Sequence, residues 1–235
     1  VSMAAFTWAL AGFVLLHVGV SATGLRAKLV GAMGEGFYRA VFSLASLILL
    51  GALIWSLGEV RQDPFDPLNE PLWAPPDWLR WPAIVLIVLG VVLATAGLLT
   101  PGPTLAGFES KGLSAPEPAR GVLRITRHPF LWGIALWGLG HALANGERFA
   151  LRVFGARTLM GLPGARSIDR KGRARKPPAW ARFEEVTSNV PFMAITQGRN
   201  SLKLGEIGWR LLAGLAVAAL LAGAHWRLFG ASLLY

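Results

Sequence analysis

The chain has 235 residues, of which 54% are hydrophobic and only 15% charged, with a formal net charge of +10 and no cysteine. Soluble domains carry about a quarter of their residues charged, so this composition points to a membrane protein. The lack of cysteine excludes disulfides, iron–sulfur clusters and thiolate metal ligands, and the basic residues fall between long apolar runs, which argues against a nucleic-acid partner.

The first apolar run covers residues 3–22. It is uncharged, and about twenty helical residues suffice to cross a bilayer core of ~30 Å. It is expected to be the first span and not a cleaved leader. Residues 37–57 and 81–100 form the second and third runs, and 128–144 the fourth. Residues 149–165 are apolar but carry Arg152 and Arg157. Residues 207–228 close the series, with Trp209 and Trp226 near their ends as interface anchors.

Loop charge sets the count. The connections at 23–36, 101–127 and 166–204 are net basic, whereas 58–80 holds Glu59, Asp63, Asp66, Glu70 and Asp77 against Arg61 and Arg80. The positive-inside rule places the basic loops in the cytoplasm and the acidic one outside. That alternation requires 149–165 to cross. The expectation is one domain over residues 1–235: an all-α polytopic transmembrane bundle of about six spans. It would lie in a bacterial inner (cytoplasmic) membrane, in contact with lipid, with both termini outside. The stretch 164–178, GARSIDRKGRARKPP, reads as a polybasic loop near anionic headgroups.

Residues 119–147, ARGVLRITRHPFLWGIALWGLGHALANGE, are the most informative. Arg120, Arg124 and Arg127 precede the apolar part. Pro129 suits a first helical position, where its missing N–H is not needed, and Asn145-Gly146 is a helix stop. His128 and His141 bracket the helix between them. Thirteen residues apart, they are separated by about 20 Å of rise and roughly 140° of rotation, so they cannot grip one metal ion. His17 stands inside the first span. An ionisable side chain there marks either a functional site or a hydrogen bond to a neighbouring helix. Gly138, one turn before His141, leaves room for a flat ligand or for close helix packing. Thr187-Ser188 with Pro191-Phe192 reads as an interfacial turn or as a lid folded back on the bundle. No Ser/His/Asp grouping, phosphate loop or zinc spacing is present, so no catalytic residue is assigned.

The segment RITRHPFLWGIALWGLGHALANGE resembles the signature of the NnrU family. That family groups bacterial membrane proteins linked to nitrogen-oxide metabolism with plant 15-cis-zeta-carotene isomerases. The resemblance extends from about residue 10 to about residue 200. It includes His17, Leu25-Arg26-Ala27-Lys28-Leu29, Gly34-Glu35 and Tyr38-Arg39 on one side. On the other it includes Ile168-Asp169-Arg170, Trp180, Thr187-Ser188, Pro191-Phe192 and Gly198-Arg199. It implies heme b with His17 and His141 as its metal ligands. His128, Arg124 and Arg127 would shape the cytoplasmic mouth, where arginines suit propionate carboxylates. Depth along the spans pulls the other way: His17 lies late in an inward-running span and His141 late in an outward-running one, an offset of order 15 Å. His128 is the nearer partner by depth. The implied function is a heme protein supporting denitrification-linked redox chemistry. The alternatives are a heme-dependent cis–trans isomerase of an apolar polyene, or a structural subunit of a membrane complex. Arg127-His128-Pro129 also resembles isoprenylcysteine carboxyl methyltransferases. Asp169-Arg170-Lys171-Gly172 stands where those enzymes carry glutamates, so no S-adenosylmethionine site is expected.

Overall fold

The computed structural model of the chain describes residues 2–20, 23–175 and 177–230. Helix α1 (Ser2–Val14) continues as a π-helical turn, Leu15–Val20, and is followed by α2 (Leu25–Met33) and α3 (Glu35–Gln62). Next come α4 (Arg80–Leu98), the short α5 (Glu109–Leu113), α6 (Pro129–Ala144) and α7 (Arg148–Arg175). The chain then forms α8 (Pro177–Val186), α9 (Met193–Thr196) and α10 (Leu204–Phe229). Among the described residues there is no strand, only an isolated bridge between Pro71 and Glu147.

Among the described residues, four stretches are long and apolar enough to cross a membrane: Met3–Val20, Glu35–Gln62, Asp77–Leu98 and Leu204–Phe229. Helix α6 is apolar but shorter. Trp8, Leu44, Leu47, Ile54, Leu212 and Leu220 are exposed on these helices, an apolar surface that lipid would cover. The chain is therefore an all-helical membrane bundle.

Helix contacts follow the small residues. Lipid is as apolar as leucine, so helices associate where backbones approach closely. A Cβ added at Gly133 would lie 2.5 Å from Ala94 N, and one at Gly90 2.5 Å from Trp137 N, which makes the α4–α6 crossing backbone-to-backbone. Gly138 and Gly161 do the same for α6 and α7, against Phe154 O and Leu131 O. Gly214 seats α10 on Val92 of α4. Helices α1 and α3 pair separately and meet α7 through Phe6, Ala9, Leu53, Phe149 and Ala150.

The bundle has two polar ends. At the first, Phe149 N–H donates to Leu68 O (3.0 Å), Arg148 N–H to Glu70 O (3.1 Å) and Leu72 N–H to Gly146 O (2.8 Å). Arg61 reaches Phe229 O at the same end. The second end gathers residues 99–128 and 186–204.

Several boundaries differ from those expected. The first helix is described to Val20, and residues 21 and 22 of the expected span lie outside the described residues. The third helix stops at Leu98, and the fourth begins at Pro129 with His128 outside it as N-cap. The larger correction concerns residues 149–165, which form only part of α7. This helix of 28 residues, ~42 Å long, continues to Arg175 through most of the stretch expected as a polybasic loop. Arginine, lysine and alanine are good helix formers, so the charge that suggested a loop does not break the helix. Gly172 lies flush against the Trp180 ring and ties the end of α7 to α8.

Candidate functional site

His17 Nδ1 bonds to Phe13 O at 2.8 Å, and its ring stacks on Phe13 at 4.2 Å with Phe42 edge-on at 5.4 Å. His141 Nδ1 bonds to Trp137 O at 2.9 Å, and its ring lies 4.6 Å from both Phe154 and Trp137. A carbonyl only accepts, so Nδ1 carries the hydrogen in both rings, and Nε2 of the neutral imidazole is left with a free lone pair. Each ring alone is thus set up as a ligand in the manner of a histidine oriented by its second nitrogen.

The structure does not bring the two rings together. Helices α1 and α7 run in parallel: Phe6 packs with Phe149 and Ala150, and the Arg157 guanidinium covers the Phe13 ring at 5.1 Å. His17 lies one turn beyond Phe13, near the level of residue 161. His141 stacks on Phe154, about seven residues back along α7, or ~10 Å. The expected pairing of His17 with His141 on one iron would have to bridge this difference in level, which is smaller than the one the sequence spacing suggests.

The most elaborate polar site lies at the second end, around His128. This side chain is 1% exposed, and its Nε2 is 2.6 Å from Asp169 Oδ1 on α7. Its Nδ1 is buried without a partner. Arg127 pairs with Glu184 of α8 and lies 3.9 Å from Asp169. Arg173 closes the group with two contacts of 2.8 Å to Glu184. Burial pulls the Glu184 carboxyl up, but hydrogen bonds from Arg173 and Arg127 more than offset this and hold it below the usual carboxylate range. Burial pushes the His128 imidazole down, and Asp169 only partly opposes that.

Segment 187–200 folds back over this group. Arg127 N–H donates to Ser188 O (2.8 Å) and Thr126 Oγ1 to Asn189 O (2.6 Å), while Trp132 Nε1 reaches Asn189 Oδ1 (3.1 Å). Arg199 donates to the carbonyls of Glu184, Glu185 and Thr187 at the end of α8. Thr187 and Ser188 are buried, so of the two readings of this segment the lid describes it.

Arg124 is also enclosed, at 3% exposure. It contacts both oxygens of Glu206, at 3.0 and 3.1 Å, and also Glu117, which Lys203 meets at 2.9 Å. Arg124 and Arg127 are therefore committed to the chain's own carboxylates and do not form an open mouth for ligand carboxylates. The partners Asp169, Glu184 and Glu206 were not foreseen as site residues. The available signal was that cations in tightly packed membrane-flanking loops need counter-charges. Among the described residues no group of three or more His, Cys, Asp or Glu could hold a metal ion.

Fold and site together define a polytopic helical membrane protein with one oriented histidine in each of two apolar helices and a closed ionic lock at one end. The chain belongs to the NnrU protein family, whose sequence model matches residues 5–233. It is 37% identical over 195 residues to the chloroplastic 15-cis-zeta-carotene isomerase of Zea mays, covering 81% of this chain and 50% of that protein. With the isomerase of the same name from Arabidopsis thaliana it shares 34% identity over 107 residues, 45% of this chain and 29% of that one. The chain thus spans half or less of the length of these curated relatives. No solved structure matches it.

Proposed function

We propose that the chain acts in the membrane as an isomerase of a cis double bond in an apolar polyene of the 15-cis-zeta-carotene kind. The observation that carries this reading is the 37% identity to a protein of that name across 81% of the chain. The architecture agrees with it: a substrate dissolved in lipid reaches a helical bundle sideways, and the faces of α1, α3 and α10 are apolar and exposed. The relatives carry the isomerase name, so this reading takes precedence over the nitrogen-oxide role expected from the family resemblance.

Heme b, which the family resemblance implies, would be held through Nε2 of His17 and of His141, the nitrogen that each ring leaves open. What the chain itself contributes is a rigid scaffold. The His128–Asp169 and Arg124–Glu206 contacts fix α6, α7 and α10 against each other, so that a bound polyene meets walls of constant shape. We further place the chain in a bacterial inner membrane, with the basic second end in the cytoplasm.

The test is expression in a bacterial strain that accumulates 15-cis-zeta-carotene, grown in the dark, with chromatography to resolve the 15-cis and 15-trans forms. Conversion beyond an empty-vector strain is expected. Unchanged 15-cis pigment in cells whose membranes contain the protein overturns the proposal.

A further inference from the structure

We infer that the polyene sits in the furrow between α1 and α7, an inference that rests on the isomerase reading. The furrow has a volume of about 470 Å³ and is walled by Phe6, Leu10 and Val14 of α1 and by Leu151, Gly155 and Leu159 of α7. Between Phe6 and Val14 it runs eight residues, ~12 Å, along two parallel helices, a slot that suits one stiff arm of a conjugated chain bent at its cis bond.

Its chemistry selects against polar ligands. The Thr7 hydroxyl on its wall is already bonded to Met3 O at 2.8 Å. Arg152, the one charged residue among the described residues of the wall, lies about one turn into α7 from the first polar end and is exposed, so its apolar stem can line the slot while its head stays in contact with solvent or headgroups. A site walled in this way binds by shape and apolar area.

Gly155 measures the free space. Elsewhere along α7, Gly161 and Gly164 meet Leu131 of α6, and Gly172 meets Trp180. A Cβ at Gly155 would meet nothing within 4 Å. A glycine inside a helix costs about 1 kcal/mol relative to alanine. Here no helix contact offsets that cost, and the space opens into the furrow.

The furrow also adjoins both oriented histidines. Phe13, next to Val14 on α1, lies under the Arg157 guanidinium and carries the stacked His17 ring. Phe154, next to Gly155 on α7, carries the His141 ring on its other side. A polyene in the slot therefore lies within one helix diameter of each ring, ~10 Å.

The experiment titrates 15-cis-zeta-carotene into the detergent-purified full chain and follows quenching of tryptophan emission. The wild type and Gly208→Leu, whose Cβ meets nothing on α10, are expected to saturate alike. Gly155→Leu and, from the same helix, Leu159→Trp should each raise the apparent Kd at least tenfold while melting as the wild type does. Wild-type affinity in both furrow variants removes the furrow but leaves the isomerase reading standing. No saturable binding by the wild type, together with no conversion in cells, removes both. Competition by phosphatidylglycerol vesicles at equal concentration assigns the furrow to lipid acyl chains and overturns the inference. If one furrow variant melts lower, the other decides.

Discussion

Replacing Asp169 by alanine tests whether the His128 lock holds the second end together. Asp169 is 6% exposed and is the hydrogen-bond partner of a fully buried imidazole whose Nδ1 already lacks one. Asp169→Ala leaves both ring nitrogens unpaired. A buried donor or acceptor without a partner costs about 1–3 kcal/mol. The accompanying loss at Arg127 is small, because that side chain keeps Glu184. The sum is about 1–3 kcal/mol, and at ~2–4 °C per kcal/mol for a chain of this size the melting temperature should fall by roughly 2–12 °C. Thermal unfolding in detergent, followed by tryptophan fluorescence, measures it. The double variant His128→Leu/Asp169→Leu should recover at least half of the loss, since removing both partners of a buried pair spares the penalty of an orphan. A shift within ~2 °C for Asp169→Ala, or a double variant as unstable as the two single changes combined, would refute the argument.

The pH dependence has a definite sign. His128 has its pKa lowered on folding, so the unfolded chain takes up a proton near pH 6.5 that the folded chain refuses. Stability is then full above that pH and falls as pH drops through it, and Glu184, also lowered, adds to the fall at more acid pH. His128→Gln should flatten the melting curve between pH 7.5 and 5.5, and an unchanged slope would show that another group is responsible. Gly133→Ala forces a Cβ to 2.5 Å from Ala94 N and should cost about 1–3 kcal/mol by prying α4 from α6, whereas Gly208→Ala should be stabilising by up to about 1 kcal/mol in the same melt. The chain has no cysteine, so Phe65→Cys and Ala174→Cys are clean single reporters. In intact cells an impermeant maleimide should label the first and not the second, and labelling of Ala174→Cys alone would reverse the proposed orientation.

The spanning helices were legible because uncharged runs of about twenty residues have few other uses. Pro129 and Asn145 marked the ends of α6 correctly, since their effect is local. The extension of α7 to Arg175 was not legible. Loop and helix share the same basic residues there, and the choice was made by Trp180 packing on Gly172. The ionic lock was hidden for a different reason. Asp169 lies 41 residues from His128, Glu184 57 from Arg127 and Glu206 82 from Arg124, so each pairing is a product of tertiary packing. The depth offset between His17 and His141 was visible in the spacing, and the parallel course of α1 and α7 retains part of it.

Helix α6 has 16 residues, ~24 Å, against a hydrocarbon core of ~30 Å. It is welded to α4 through Gly133 and to α7 through Gly138, and tilting would only shorten its reach along the membrane normal. The surrounding lipid must give instead. A shortfall of ~6 Å, at a fraction of a kcal/mol per Å, amounts to a few kcal/mol at most. In a membrane of uneven thickness that gradient favours the thinner regions, away from long-chain lipid.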